Sequence, residues 1–181
     1  MNAIATPSPQ YVRRALLWLV ITAAAYFLLN GAQIFETFTV VPSWTAAPPA
    51  SLAVFHGPYG LDFQAFWIIF HSVHELTFLV AIALAWKLPA VRRWLLVLLA
   101  AHIVLRIWTV AYFAPTLIRF QSLPATAVPD EALRDQAMMW AGLNYPRVAG
   151  FLIISFALLP LIARLVRMPG TVRPVPAVSA A

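Results

Sequence analysis

Four apolar windows, each long enough to cross a bilayer, constrain this chain more than any motif in it. A spanning helix needs roughly 20 mostly apolar residues. The windows at about Ala15–Val41, Phe63–Trp86, Trp94–Ala114 and Val148–Val166 meet that length. They predict an all-α, integral-membrane four-helix bundle formed by residues 1–168 as one domain, followed by a Pro/Ala-rich, disordered tail over 169–181. Only 10% of the residues are charged and 62% are hydrophobic. Soluble domains average about 25% and about 45–50%, so an ordinary soluble or disordered chain is excluded. The chain has no cysteine, which excludes disulfide scaffolds, thiol enzymes and cysteine-ligated metal sites. The net charge of +6 is too dispersed for nucleic-acid binding. The first window is too long, and lacks the cleavage site, for a removable signal peptide.

Proline and charge supply the topology. Pro42, Pro48 and Pro49 are expected to end the first span, Pro89 to turn between spans two and three, and Pro115 to close span three. Pro160 falls inside span four and is expected to kink it, which membrane helices tolerate. Arg13, Arg14, Lys87, Arg92, Arg93, Arg164, Arg167 and Arg173 gather on one side, which the positive-inside rule makes cytoplasmic, with both termini. Arg119, Arg134 and Arg147 fall on the other side, with Asp130, Glu131 and Asp135. Trp44, Trp67, Trp86, Trp94 and Trp140 lie near span ends, as an aromatic belt would. Residues 129–144 are expected to form a short amphipathic helix, with Pro129 at its first position and Leu133, Ala137, Trp140 and Ala141 on one face. Continuation into span four is the alternative.

Polar residues at membrane depth are costly and mark function by default. Span one carries Asn30, Gln33, Glu36 and Thr37; span two His71, His74, Glu75 and Thr77; span three His102, Arg106 and Thr109. His71, His74 and Glu75 share a helix face at i, i+3 and i+4, as do His102 and Arg106 at i and i+4. At about 1.5 Å per residue, Glu36 lies about 8 Å, the span-two group about 12–18 Å and the span-three pair about 14–20 Å below the outer ends of their helices. One outward-facing polar pocket accounts for this overlap.

Three chemistries fit such a pocket. Acid–base work on a lipophilic molecule would use Glu36, His71, His74, Glu75, His102 and Arg106 as catalytic groups. Glu75 or a histidine would be the base and Arg106 the anion stabiliser. Gln33, Phe66, Trp67, Phe70, Trp108 and Tyr112 would bind the substrate. This reading requires no cofactor. Alternatively, His71, His74, His102 and Glu75 would hold a single iron, copper or zinc ion. A third, non-catalytic reading has the protein bind a lipid, a small molecule or a partner subunit, with Arg106–Glu75 a structural ion pair and the histidines bonded between helices. His56, in the first outer connection, reads as an ordinary loop residue.

Gly31, Phe35, Glu36, Pro42 and Trp44, within GAQIFETFTVVPSW, and the ending Tyr112-Phe113-x-Pro115 carry a resemblance. Residues 15–120 resemble a family of small four-span membrane proteins related to the anthrone oxygenases of aromatic polyketide pathways. The resemblance implies cofactor-independent oxidation of an anthrone-type phenol to a quinone. The deprotonated substrate would react with oxygen directly. No catalytic residue carries over from the family one by one, and residues 62–75 hold more histidine than its pattern.

Overall fold

The computed structural model describes residues 7–169; the tail expected over 169–181 lies almost wholly outside the described residues. Four helices are each long and apolar enough to cross a membrane: α1 (Pro9–Thr45), α2 (Gln64–Leu84), α3 (Pro89–Ser122) and α4 (Glu131–Val166). Ser8 caps α1 by accepting a bond from the Tyr11 amide, with Pro9 pre-set for the first turn. Asp130 caps α4 through the Leu133 amide at 2.9 Å, so α4 begins at Glu131 and not at Pro129. The first long connection holds a short 3₁₀ helix, Ala50–Phe55.

Two proline expectations need correction. Pro42 and Pro115 sit inside α1 and α3 instead of ending them. A proline cannot bond to the carbonyl four residues back, and its ring pushes that carbonyl away. Both helices absorb this with one widened π turn, Glu36–Val40 in α1 and Thr109–Phe113 in α3. The Val41 amide donates to the Glu36 carbonyl and the Ala114 amide to the Thr109 carbonyl, each five residues back. Of the two readings of residues 129–144, the structure takes continuation into span four: the segment is the third of α4 nearest the long connections, and Pro146 and Pro160 both lie within that helix. The expected face is right, since Leu133, Ala137 and Trp140 are buried. They pack on the protein and do not lie flat on a membrane surface.

The helices form an antiparallel bundle with α1 at its centre. Helix α1 packs most closely on α2 and α4, α3 packs on α4, and α2 scarcely touches α3. Both ends of the described chain lie at one end of the bundle. There the Tyr11 hydroxyl accepts from the Lys87 amide in the turn between α2 and α3. Two apolar cores result. One, at the end with the termini, includes Leu19, Phe78, Leu95, Phe151 and Leu158. The other, under the long connections, includes Trp44, Leu52, Phe113, Phe120 and Trp140. Trp44 and Trp140 are thus core residues and not part of an aromatic belt, whereas Trp86 and Trp94 are exposed as a belt requires. Large apolar side chains such as Leu28, Leu76, Val104 and Ile153 point outward all round the bundle, as lipid contact demands.

Helices α3 and α4 approach closely at Gly150, where a Cβ would meet Leu105 Cδ1 at 2.9 Å. Small residues at such crossings let membrane helices pack. Gly150→Leu is expected to cost about 1–3 kcal/mol through overpacking. At about 2–4 °C per kcal/mol for a chain of this size, thermal unfolding in detergent reads it directly. Gly31→Ala, at a position with open space around it, leaves the transition in place.

Candidate functional site

Between the two apolar cores lies a polar layer, and α1 carries its backbone. Tyr26, Asn30, Gln33 and Thr37, at i, i+4, i+7 and i+11, are all buried on one face. Asn30 Nδ2 donates to Ser155 Oγ and to the Phe151 carbonyl of α4. Thr37 Oγ1 donates to the Gln33 carbonyl at 2.6 Å and accepts from Asn144 Nδ2 at 2.8 Å. Asn144 Oδ1 accepts from Arg147 Nε at 3.1 Å and Nη2 at 2.6 Å. Arg147 Nη1 reaches Thr109 Oγ1 at 3.4 Å, and the guanidinium lies 4.5 Å over the Phe113 ring. Arg147 thus spends two nitrogens on Asn144 of its own helix and the third on Thr109 of α3, so a buried cation is held by an amide, a hydroxyl and a π face.

Deeper in the bundle a second cluster joins α1, α2 and α3. Arg106 Nε donates to Glu75 Oε1 at 2.6 Å. The same carboxylate oxygen lies 3.6 Å from His102 Nε2. On its other side, His102 Nδ1 and the Tyr26 hydroxyl are 2.8 Å apart. His74 Nδ1 donates to the His71 carbonyl at 3.0 Å, with the His74 and His102 rings edge to face at 4.9 Å. Five groups expected to share helix faces and depth, His71, His74, Glu75, His102 and Arg106, are therefore in one cluster, which Tyr26 of α1 joins.

A cavity of about 290 Å³ opens beside this layer, nearer the end with the long connections. Helix α1 gives it Gln33 and Glu36; α2 gives Phe63, Gln64, Trp67, Ile68 and His71. Helix α3 gives Arg106, Thr109, Val110, Phe113, Ala114, Leu117, Ile118 and Gln121, and α4 gives Trp140 and Arg147. The two π turns therefore deliver Glu36 and Thr109 to the same space, and such turns recur at functional sites. Arg147 and Trp67 share the cavity wall with Glu36. Gln33 is 1% exposed, and neither atom of its amide has a partner among the described residues. His71 Nδ1 is likewise buried without one. Unpaired buried groups cost about 1–3 kcal/mol each, so they point to something polar that the cavity receives.

Of the expected site residues, Gln33, Glu36, Trp67, His71 and Arg106 line the cavity. His74, Glu75 and His102 stand behind them, within the same constellation but off the cavity wall. Phe66 and Phe70 do not line it: they stack on each other at 4.3 Å on the exposed face of α2. Trp108 and Tyr112 do not line it either, and pack against Phe113 in the outer core. His71, His74, His102 and Glu75 cluster, but among the described residues no three His, Asp or Glu side chains are arranged to hold one metal ion. His56 is a tie between loops, with Nε2 2.8 Å from the Leu123 carbonyl. Sequence reasoning missed Arg147, Asn144, Trp140 and Tyr26. Counting α4 from Asp130 puts Arg147 in mid-helix, and Tyr26 lies one turn before Asn30.

These elements define a helical bundle with four membrane-length helices and, among them, a largely apolar cavity that carries Gln33, Glu36, Arg106 and Arg147 on its wall. No protein family, characterised protein or solved structure matches the chain.

Asn144→Ala removes the acceptor of Arg147 and the donor to Thr37 together. Losing bonds to a charged group is expected to cost about 1.5–3 kcal/mol, read as a lower unfolding temperature in detergent. Ser43→Ala, which removes one exposed hydroxyl bonded to the Val40 carbonyl, leaves the temperature unchanged within error.

Proposed function

We propose that the protein is a membrane-embedded enzyme that removes a proton from a small lipophilic, aromatic substrate and supports its oxidation. The observation that carries this reading is Glu36. It is a buried carboxylate on the cavity wall, with two arginines on the same wall and an aromatic surround of Trp67, Phe113 and Trp140.

Glu36 is the base. Glu75 is already committed to Arg106 and is off the cavity wall, which shifts the base role away from it. Arg106 spends its Nε on Glu75, so its two terminal nitrogens are left to meet an anion that forms in the cavity. His71 stands beside them as a second proton acceptor. For a substrate of the anthrone type, which the resemblance of residues 15–120 suggests, a ring CH₂ gives one proton to Glu36. The carbanion passes its electrons to dissolved dioxygen. Overall CH₂ and O₂ become C=O and H₂O, with no bound cofactor.

The test is oxygen uptake by purified protein with anthrone in vesicles, followed by absorbance of the quinone. Glu36→Gln keeps the shape and removes the base, and is expected to lower kcat about 10²–10⁴-fold. An uptake rate no faster than the spontaneous reaction overturns the reading.

We further infer that the termini face the cytoplasm. Arg13, Arg14, Lys87, Arg92, Arg93, Arg164 and Arg167 sit at the end of the bundle that carries them. The chain has no cysteine, so single ones report sidedness cleanly. Arg134→Cys is expected to react with a membrane-impermeant maleimide on intact cells, and Arg14→Cys only after lysis.

A further inference from the structure

A lipophilic molecule has two ways into the cavity: from water through the outer connections, or sideways from the bilayer. The outer end is closed. Trp44 packs on Phe120 at 5.1 Å and on Trp140 at 5.2 Å between ring centres, and Leu52 of the 3₁₀ helix is fully buried against them. The His56 bond to Leu123 ties the two long connections together across this plug.

The side between α2 and α3 differs. These helices scarcely touch, and Glu75 joins them through Arg106 at the foot of the cleft. There the two side chains keep 38% and 25% exposure. Above the pair, the cavity's margin is Ile68, Val110 and Ile118, each more than half exposed. Gln64 and Gln121 stand at its rim, in the first turn of α2 and the last turn of α3. Apolar walls below a polar rim match the profile of a bilayer leaflet from its core to its headgroups. On the far wall the buried Gln33 amide, unpartnered, offers one donor and one acceptor group side by side.

We propose that the α2–α3 cleft is a lateral opening to the outer half of the bilayer, and that it admits a neutral, lipid-dissolved phenol whose hydroxyl turns inward to Gln33 and Glu36. The inference rests on the proposed function and adds the substrate's route and the side chains that receive its hydroxyl. A neutral phenol crosses the Ile68–Val110 level without the desolvation cost of a fixed charge. Once inside, its hydroxyl matches the donor and acceptor of the Gln33 amide, which sets the ring on the wall that carries Glu36.

The test uses the full chain in vesicles and three probes sharing one diazirine-tagged alkyl tail: a long-chain alkylphenol, its methyl ether, and a ring-sulfonated phenol. After illumination, the phenol is expected to label peptides around Gln33 and His71. The ether, lacking the hydroxyl proton, labels at least tenfold less, and the sulfonate does not label the cavity. Val110→Trp and Ile118→Trp, which fill the opening, each lower phenol labelling at least fivefold. Ile153→Trp, on the lipid-facing side of α4, leaves it unchanged. Unfolding temperatures of the three variants verify that they are folded. Cavity labelling by the sulfonate equal to that by the phenol overturns the proposal, as does phenol labelling that neither opening variant lowers. Oxygen uptake on the same vesicles separates the two readings. Uptake with labelling insensitive to the opening overturns the route alone; labelling that depends on the opening, without uptake, overturns the enzyme reading and leaves the route standing.

Discussion

The hydrogen bonds from α1 to α4 in the middle of the bundle set the positions of everything else. Apolar contact alone gives membrane helices little reason to choose one register, because lipid tails are as apolar as leucine. Here the register comes from polar groups that have no water to fall back on. Asn30 is bonded to Ser155, and Thr37 is bonded through Asn144 to Arg147. These ties fix α4 along α1 at two levels, one turn of α1 or more apart. Helix α3 follows through Thr109, which Arg147 reaches, and through the Gly150–Leu105 crossing. Helix α2 is held chiefly by α1. The α2–α3 side is thus the one seam that no extended packing closes, and the cavity lies along it.

The π turns connect local backbone chemistry to that site. Each proline one turn beyond, Pro42 in α1 and Pro115 in α3, denies a bond to a carbonyl in the preceding turn. The widened turn absorbs the denied bond and keeps the helix going. The residues at the start of those turns are Glu36 and Thr109, and both face the cavity. The helices therefore run past both prolines and beyond the hydropathy windows, and the π turn in α1 shapes the part of the wall that bears the carboxylate.

Much of this was legible in the sequence. Four apolar windows became four helices because length and composition alone decide that question at membrane depth. The i, i+3, i+4 spacing of His71, His74 and Glu75, with His102 and Arg106 at matching depth, brought those groups together as helical geometry requires. What failed was the use of hydropathy and proline as boundaries. Span four was cut at Val148 because Asn144, Tyr145, Pro146 and Arg147 look like a break. In the bundle interior Asn144 and Arg147 bond each other, Thr37 of α1 and Thr109 of α3, so the helix runs through them. Aromatic placement failed for a related reason. A phenylalanine facing lipid and one facing the core leave the same mark on an apolar helix, so Phe66 and Phe70 could not be told from Phe113 and Trp140 by composition.

Arg106 is where structure and proposed chemistry meet. A lone guanidinium at this depth would be among the costliest groups in the chain. Glu75 offsets that cost and, by binding Nε, also orients the guanidinium plane across the α2–α3 seam. An arginine held this way is a fixed positive fork whose remaining donors need no reorganisation when an anion appears beside them, which is the condition for electrostatic stabilisation of a transition state. In the proposed chemistry the same pairing commits the Glu75 carboxylate to Arg106 and leaves it off the cavity wall, away from the substrate. In that chemistry the division of labour between the two carboxylates follows from that one bond: Glu75, half-buried in the cleft, sets the cation, and Glu36, buried on the π turn of α1, takes the proton.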